Sequence, residues 1–376
     1  SKNNINVDLW QKYSEEITQN IKKLLRQNRK YKYFDDTALT TEVINKVREL
    51  YRLSENKNFY ELLSKIKTKK QVNVCLTINE KWIPMAATTI SSIMDNTISN
   101  VKFYIIHSDC KRKSIEKINQ LCQKYPYMSV KWVKINLSQQ LSGFQSTVNY
   151  ISNDSFSRFL FPKLVKNVDR VIYTDVDVIF RGDIQELFDE NLEGKIIGAV
   201  RSVKQVDGSD NKRLQIPENH KYFQSGLLLI DCKKWRKYKI LEKLKLANRQ
   251  SKNRLKFADQ DLLNIVFVDN YKELNLKYCF IVFLENLFKT FSDESIMACQ
   301  NPFIIHFCGT GKPWLTDCKH SDEFWKYAKQ TAFYSRLQKI RYKEKVEKQT
   351  SEYKIYLFSL NIIKVVAKIN KIKIYL

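Results

Sequence analysis

From about residue 71 to about residue 318, short apolar runs alternate with amphipathic ones, and this restricts the chain to a mostly parallel sheet covered by helices. VNVCLTI (72–78) has the β-branching of a strand, and PMAATTISSIMDN (84–96) reads as a helix with Pro84 in its first turn. VKFYIIH (101–107) predicts a strand, KSIEKINQLCQKY (113–125) a helix and SVKWVKI (129–135) a strand. SFSRFLFPKLV (155–165) reads as a helix interrupted at Pro162. RVIYT (170–174), KIIGAV (195–200), FQSGLLLID (223–231) and PFIIHFCG (302–309) predict strands, and DQDLLNIVFV (259–268) a helix.

Two zones flank this region. Residues 1–70 are polar, with apolar residues at helical spacing (Trp10, Tyr13, Ile17, Ile21, Leu24), and predict a helical extension. Residues 319–376 predict a basic helical region. At its end Phe358, Ile362, Val365, Val366, Ile369, Ile372 and Leu376 fall on one face, and Lys364, Lys368 and Lys371 on the other. That pattern suits a helix lying in a membrane interface or one packed on its own domain.

The formal net charge of +25 concentrates anions at the surface: nucleic acid, anionic lipid or phosphorylated small molecules. The eight cysteines include no C-x-x-C pair, and several lie in apolar runs. A reducing compartment with neither zinc nor a disulfide framework is expected. The first residues carry no apolar run of signal-peptide length, and no segment has the roughly 18 uninterrupted apolar residues of a spanning helix.

The chemistry concentrates in RVIYTDVDVIFRGD (170–183), where a strand runs into Asp175 and Asp177. Carboxylates this close repel each other unless a cation lies between them. On extended backbone, residues i and i+2 share a side, so both can reach one hard divalent ion such as Mg2+ or Mn2+. The same string, VIYTDVDV, also fits a phosphatase resembling the haloacid dehalogenases, with Asp175 attacking phosphorus. Three strands precede the motif, and Asp269 is a single downstream acid where that class has a pair. In FIIHFCGTGKPW (303–314), His306 offers a ligand acceptable to Mn2+, Gly309 and Gly311 allow close backbone approach, and Lys312 offers a charge for phosphate.

Six ordered stretches carry a resemblance: VCLTINEKW, SFSRFLF, VIYTDVDVIFRGDI, YFQSGLLLID, ADQDLLN and HFCGTGKPW. Over residues 71–318 the chain resembles family eight of the glycosyltransferases, which includes bacterial lipopolysaccharide galactosyl- and glucosyltransferases and glycogenin. The resemblance implies an α/β GT-A fold and a UDP-sugar donor. It assigns Asp175, Asp177 and His306 to Mn2+, with Mg2+ the other candidate. Gly309 and Lys312 would contact phosphate, Trp82 would stack on uracil, and Asn79, in the glycogenin-like form, would bond its edge. Arg158 would lie near the diphosphate and donor sugar, and Val176 belongs to the same donor-binding set. Asp259 would hold sugar hydroxyls, and Gln260 would lie by the anomeric carbon with Asp261 beside it. Gln224 stands where the family often has Asn.

The family retains anomeric configuration. Retention needs either two displacements, with Asp261 the candidate nucleophile, or same-face transfer in which the departing phosphate serves as base. The partners implied are UDP-glucose or UDP-galactose, a saccharide acceptor, lipid-linked or otherwise cell-surface, and an anionic membrane met by the basic tail. That places the chain in the cytoplasm on the inner face of the membrane. Nucleic acid is not expected, although a silent basic protein binding membrane or nucleic acid is the reading from another class.

Overall fold

Three βα repeats begin the sheet. Strands β1 (Val72–Ile78), β2 (Val101–His107) and β3 (Met128–Lys134) are parallel, with helix α1 (Ile83–Asn96) between the first two and α2 (Arg112–Gln123) between the second two. The structure is a computed structural model describing residues 71–97, 99–125, 128–144, 153–309, 311–344 and 346. The extension expected over 1–70 and the apolar–basic face at 358–376 lie outside the described residues.

Strand β4 (Arg170–Thr174) returns to the free edge of β1, parallel to it, with Val74 opposite Ile172 and Cys75 opposite Tyr173. After β5 (Val178–Phe180) come β6 (Ile197–Arg201), β7 (Phe223–Asp231) and β8 (Lys272–Leu274), giving the order β3-β2-β1-β4-β7-β6-β8. The sheet is mostly parallel as expected; β7 alone runs against both its neighbours. Helix α3 (Ile240–Ser251) packs beside α4 (Asp259–Val266).

The segment before β4 departs from its sequence reading. It is a 3-10 helix over Asn153–Leu160, then one α-turn over Phe161–Leu164. Pro162 sits in the first turn of that α-segment, where its missing N–H is no loss, and so does not interrupt a helix. Phe156, Phe159 and Phe161 are buried, and Phe156 stacks on Phe144 at 5.1 Å between ring centroids.

A second, three-stranded sheet pairs β5 with β10 (Ile304–His306), which in turn pairs with β9 (Phe280–Ile281). Strand β5 leans on α1, which is buried nearly all round. Thr89, Ser92 and Asn96 share one face of that helix at i, i+3 and i+7. The Thr89 hydroxyl lies 2.9 Å from the carbonyls of both Val176 and Val178. Ser92 Oγ accepts the Phe180 N–H at 3.0 Å, and Asn96 donates to the Phe180 carbonyl at 2.9 Å. Helix side chains thereby satisfy a strand that has a partner on one side only.

The chain past residue 318 stays with this body. Helix α5 (Ser321–Ala328) packs on α1: Asn96 donates to the Tyr327 hydroxyl at 2.8 Å and Ser91 to Gln330 at 2.9 Å. Phe324, Phe333 and Leu337 are buried. The division expected between 318 and 319 is therefore no packing boundary among the described residues. No helix among them is long and apolar enough to cross a membrane.

Candidate active site

Strands β2 and β4 flank β1 on opposite sides, so the chain reverses its direction of travel across the sheet at β1. A crevice opens at such a point beyond the carboxyl ends of the strands. Asn79 and Trp82 follow β1 there, and Asp175, Val176 and Asp177 follow β4. Trp82 meets Trp314 edge to face with centroids 6.1 Å apart, and the Asn79 carbonyl accepts the Trp82 N–H at 3.0 Å.

Strand register brings His306 to the aspartates. Antiparallel pairing of β5 with β10 sets His306 opposite Val178, and the Phe307 N–H donates to the Asp177 carbonyl at 2.8 Å. One ligand atom from each of Asp175, Asp177 and His306 lies within 4.8 Å of the others, the only group of this kind among the described residues. His306 Nε2 is 3.2 Å from Asp177 Oδ1 and 4.0 Å from Asp175 Oδ2. It is buried without a hydrogen-bond partner among the described residues. The other ring nitrogen, Nδ1, meets Cys279 Sγ at 3.6 Å, which fixes the ring orientation. A buried nitrogen left open beside two carboxylates fits a divalent ion bound by two oxygens and one imidazole.

Without a cation, two positive side chains balance Asp177. Lys312 pairs with its Oδ2, and His306 approaches its Oδ1. Burial pushes the Asp177 carboxyl up, but Lys312 and His306 outweigh it and hold it far below the usual carboxylate range. Burial pulls the His306 imidazole down, and the Asp177 charge overcomes that and lifts it well above its ordinary value.

Arg158, which the resemblance sets near the diphosphate and donor sugar, is a buried hub that joins Asp175 to Asp259. Its guanidinium donates to Asp175 Oδ1 at 3.0 Å and to the Ser225 carbonyl at 2.8 Å, and pairs with Asp259 at 3.1 Å. It also covers the Tyr173 ring at 4.5 Å, while the Tyr173 hydroxyl donates to the same Asp175 oxygen at 2.7 Å. Burial raises the Asp259 pKa, and Arg158 partly opposes this.

Gln260 joins the group: its Oε1 accepts the Ser225 N–H at 3.1 Å and its Nε2 donates to Tyr222. Gln224 is tied to Ser202 at 2.9 Å, and Gly309, with φ of 72°, lies against Phe283. Asp261 does not join it. Positions i and i+2 on a helix point to nearly opposite sides, so Asp261 leaves the face that Asp259 presents to Arg158. It is fully buried, paired with Arg213 at 3.0 Å, and accepts hydrogen bonds from Tyr222 and the N–H groups of Lys256 and Phe257. Its oxygens anchor α4 and are already engaged, which removes it as the nucleophile candidate.

Gly226 was not singled out from sequence. A Cβ there would lie 2.5 Å from His306 Cε1 and 3.0 Å from Asp175 Oδ2. An isolated glycine inside a strand is the signal for such close approach. Gly226→Ala is expected to weaken Mn2+ binding about 10- to 100-fold with the fold retained, measured by electron paramagnetic resonance titration. Unchanged affinity would show that the three ligands do not depend on this gap.

A family described as "Glycosyl transferase family 8" matches residues 73–318. A putative glycosyltransferase of Haemophilus influenzae is 28% identical over 251 residues, covering 66% of this chain and 74% of that one. The lipopolysaccharide 1,2-glucosyltransferase of Escherichia coli K12 is 28% identical over 256 residues, covering 67% and 75%. The crystal structure of the galactosyltransferase LgtC with donor and acceptor sugar analogues superposes with a TM-score of 0.63. It does so at 20% identity, over 69% of this chain and 96% of that one. At that identity the likeness shows the fold, which is the GT-A arrangement expected from the sequence.

Proposed function

The chain belongs to glycosyl transferase family 8 and is a sugar-transferring enzyme, and we propose that it moves glucose or galactose from a UDP-sugar to a saccharide acceptor with retention of configuration. The observation that carries this reading is the convergence of Asp175, Asp177 and His306 at the crevice between β1 and β4. The relative named for lipopolysaccharide supports a lipid-linked or cell-surface acceptor, with the chain at the inner face of the cytoplasmic membrane. The basic tail would supply about 1 kcal/mol per lysine near anionic lipid.

Asp175, Asp177 and His306 would hold Mn2+ or Mg2+, which when bound polarises the diphosphate as a Lewis acid. The remaining work falls to side chains. Lys312, which pairs with Asp177 here, would turn to charge developing on the departing phosphate once Asp177 served as a metal ligand. Gly309 lets the backbone approach that phosphate. Asn79 and Trp82 hold the base, and Asp259 and Gln224 orient sugar hydroxyls. Arg158 fixes Asp175 and Asp259 in one geometry. The amide of Gln260 faces the anomeric carbon. With Asp261 engaged elsewhere, same-face transfer is the route, and the departing phosphate takes the acceptor proton. The phosphatase alternative loses support because Asp175 Oδ1 is already held by Arg158 and Tyr173.

Hydrolysis of UDP-glucose, UDP-galactose and their N-acetyl forms, with and without Mn2+, tests the reading. Turnover of a UDP-hexose that needs the metal is expected; no turnover and no binding of any of them would refute it. Metal uptake has to expel a proton from His306, so Mn2+ affinity should strengthen as pH rises through the elevated imidazole pKa. Titration across a pH series should show that slope, and a flat profile would remove His306 from the ligand set.

A further inference from the structure

We infer that the helical turns at 334–344, beyond the family-matched region, form a clamp that positions both loops of the donor cleft through Arg336 and Arg341. This rests on the UDP-sugar reading above. The first loop is Asn79–Trp82. Arg336 grips it at two points, donating to Glu80 Oε1 and to the Glu80 carbonyl, each at 3.0 Å. Glu80 is itself the anchor of that loop. Its carboxylate also accepts from the Lys111 N–H and the Ser114 hydroxyl, both at 2.9 Å, at the start of α2, and its N–H donates to Asp109 Oδ1 at 2.9 Å. A carboxylate at a helix N-terminus completes the open N–H groups there, and Arg336 fixes it from the solvent side.

The second loop runs from Gly311 to Asp317. Arg341 donates to the Pro313 carbonyl at 2.9 Å, pairs with Asp317, and lies over the Trp325 ring at 5.3 Å. Pro313 follows Lys312, whose carbonyl closes the local turn by accepting from Leu315 and Thr316 at 2.9 Å. Five residues of helix, about 7.5 Å, separate the two arginines. One rigid element thus sets the spacing between the loop bearing Trp82 and the loop bearing Lys312, whose Trp82 and Trp314 rings meet edge to face. Arg336 and Arg341 are positioning residues and act through Glu80, Pro313 and Asp317.

The two arms should separate kinetically. Holding the base stabilises ground and transition states alike, so the first loop sets KM, whereas displacing Lys312 also lowers kcat. The experiment measures kcat, donor KM and thermal midpoint with UDP-glucose, UDP-galactose and Mn2+ for the full chain and its R336A, R336K, R341A and E80A variants. R336A is expected to raise donor KM about tenfold with kcat nearly unchanged, and R341A to lower kcat about tenfold as well. R336K reaches only one of the two oxygens and should recover part of the loss, which keeps the test open if R336A folds poorly. Each pair keeps one partner substantially in solvent and so contributes little to stability, and the midpoints should stay within a few degrees. E80A leaves the residue-80 carbonyl for Arg336 to hold, so R336A combined with E80A should be somewhat worse than E80A alone but lose less than the sum of the two single variants. A folded R336A with parental KM, or additive losses in the double variant, would overturn the clamp. A parent chain inactive on every UDP-sugar would instead overturn the donor assignment.

Discussion

Asp177→Asn should lower sugar transfer by about 10³-fold while leaving the fold in place. The substitution removes a metal-facing charge without changing size. It also removes the group that neutralises His306 and Lys312 in the cation-free protein. Two cations would then face each other, but each has a way out. His306 can shed its proton once Asp177 no longer raises its pKa, and Lys312 is partly exposed and can turn to solvent. The cost should therefore appear in the rate and in cation affinity far more than in stability. Initial rates at saturating donor, thermal unfolding, and Mn2+ titration of the same preparation separate these effects. An Asp177→Asn protein with parental turnover and Mn2+ affinity would remove Asp177 from the chemistry.

Arg158→Met should be the most destabilising single change near the site. Arg158 is almost fully buried and holds two carboxylates, Asp175 and Asp259, and two carbonyls, those of Ser155 and Ser225. Methionine keeps much of the volume but leaves Asp259, itself buried, without a counter-charge. Breaking a buried pair by removing one partner costs about 3–5 kcal/mol. In a domain of this size that lowers the thermal midpoint by roughly 10 °C. Activity should fall with it, because Asp175 would then rely on the Tyr173 hydroxyl alone to orient the oxygen now shared with Arg158. Excess Mn2+ should not restore the rate, which distinguishes lost orientation from weakened metal affinity. A midpoint unchanged by the substitution would mean that the two carboxylates do not depend on Arg158.

Strands β1, β2, β4 and β7 were legible because β-branched runs of five to nine residues carry their own signal. The D-x-D pair was legible because spacing of two on extended backbone puts both acids on one side. His306 could be grouped with them by its ligand chemistry and by resemblance, but the pairing that brings it there could not be read. Their meeting depends on pairing between β5 and β10, each three residues long and 126 positions apart by their first residues (178 and 304), too short for any periodicity to show. The support of β5 by Thr89, Ser92 and Asn96 left a trace in PMAATTISSIMDN, as polar residues at i, i+3 and i+7, blurred by Thr88, Ser91 and Asp95 beside them. The trace could be read only once that helix was known to be buried all round.

Asp261 shows the converse. Spacing of two joins Asp175 to Asp177 in the bend between β4 and β5 and separates Asp259 from Asp261 on a helix, so the same interval has opposite consequences. Arg158 was found but its surroundings were not: a guanidinium that serves two carboxylates and a strand carbonyl is a product of tertiary packing. The boundary near 318 followed a change in composition, whereas Phe324, Phe333 and Leu337 carry the core past it.

Crystals of the protein soaked with UDP and Mn2+, measured at the manganese absorption edge, test the central claim most directly. The expected result is one anomalous peak in contact with carboxylate oxygens of Asp175 and Asp177, the Nε2 of His306 and the diphosphate. Bound UDP with no manganese among those three side chains, or manganese held elsewhere in the molecule, would contradict it.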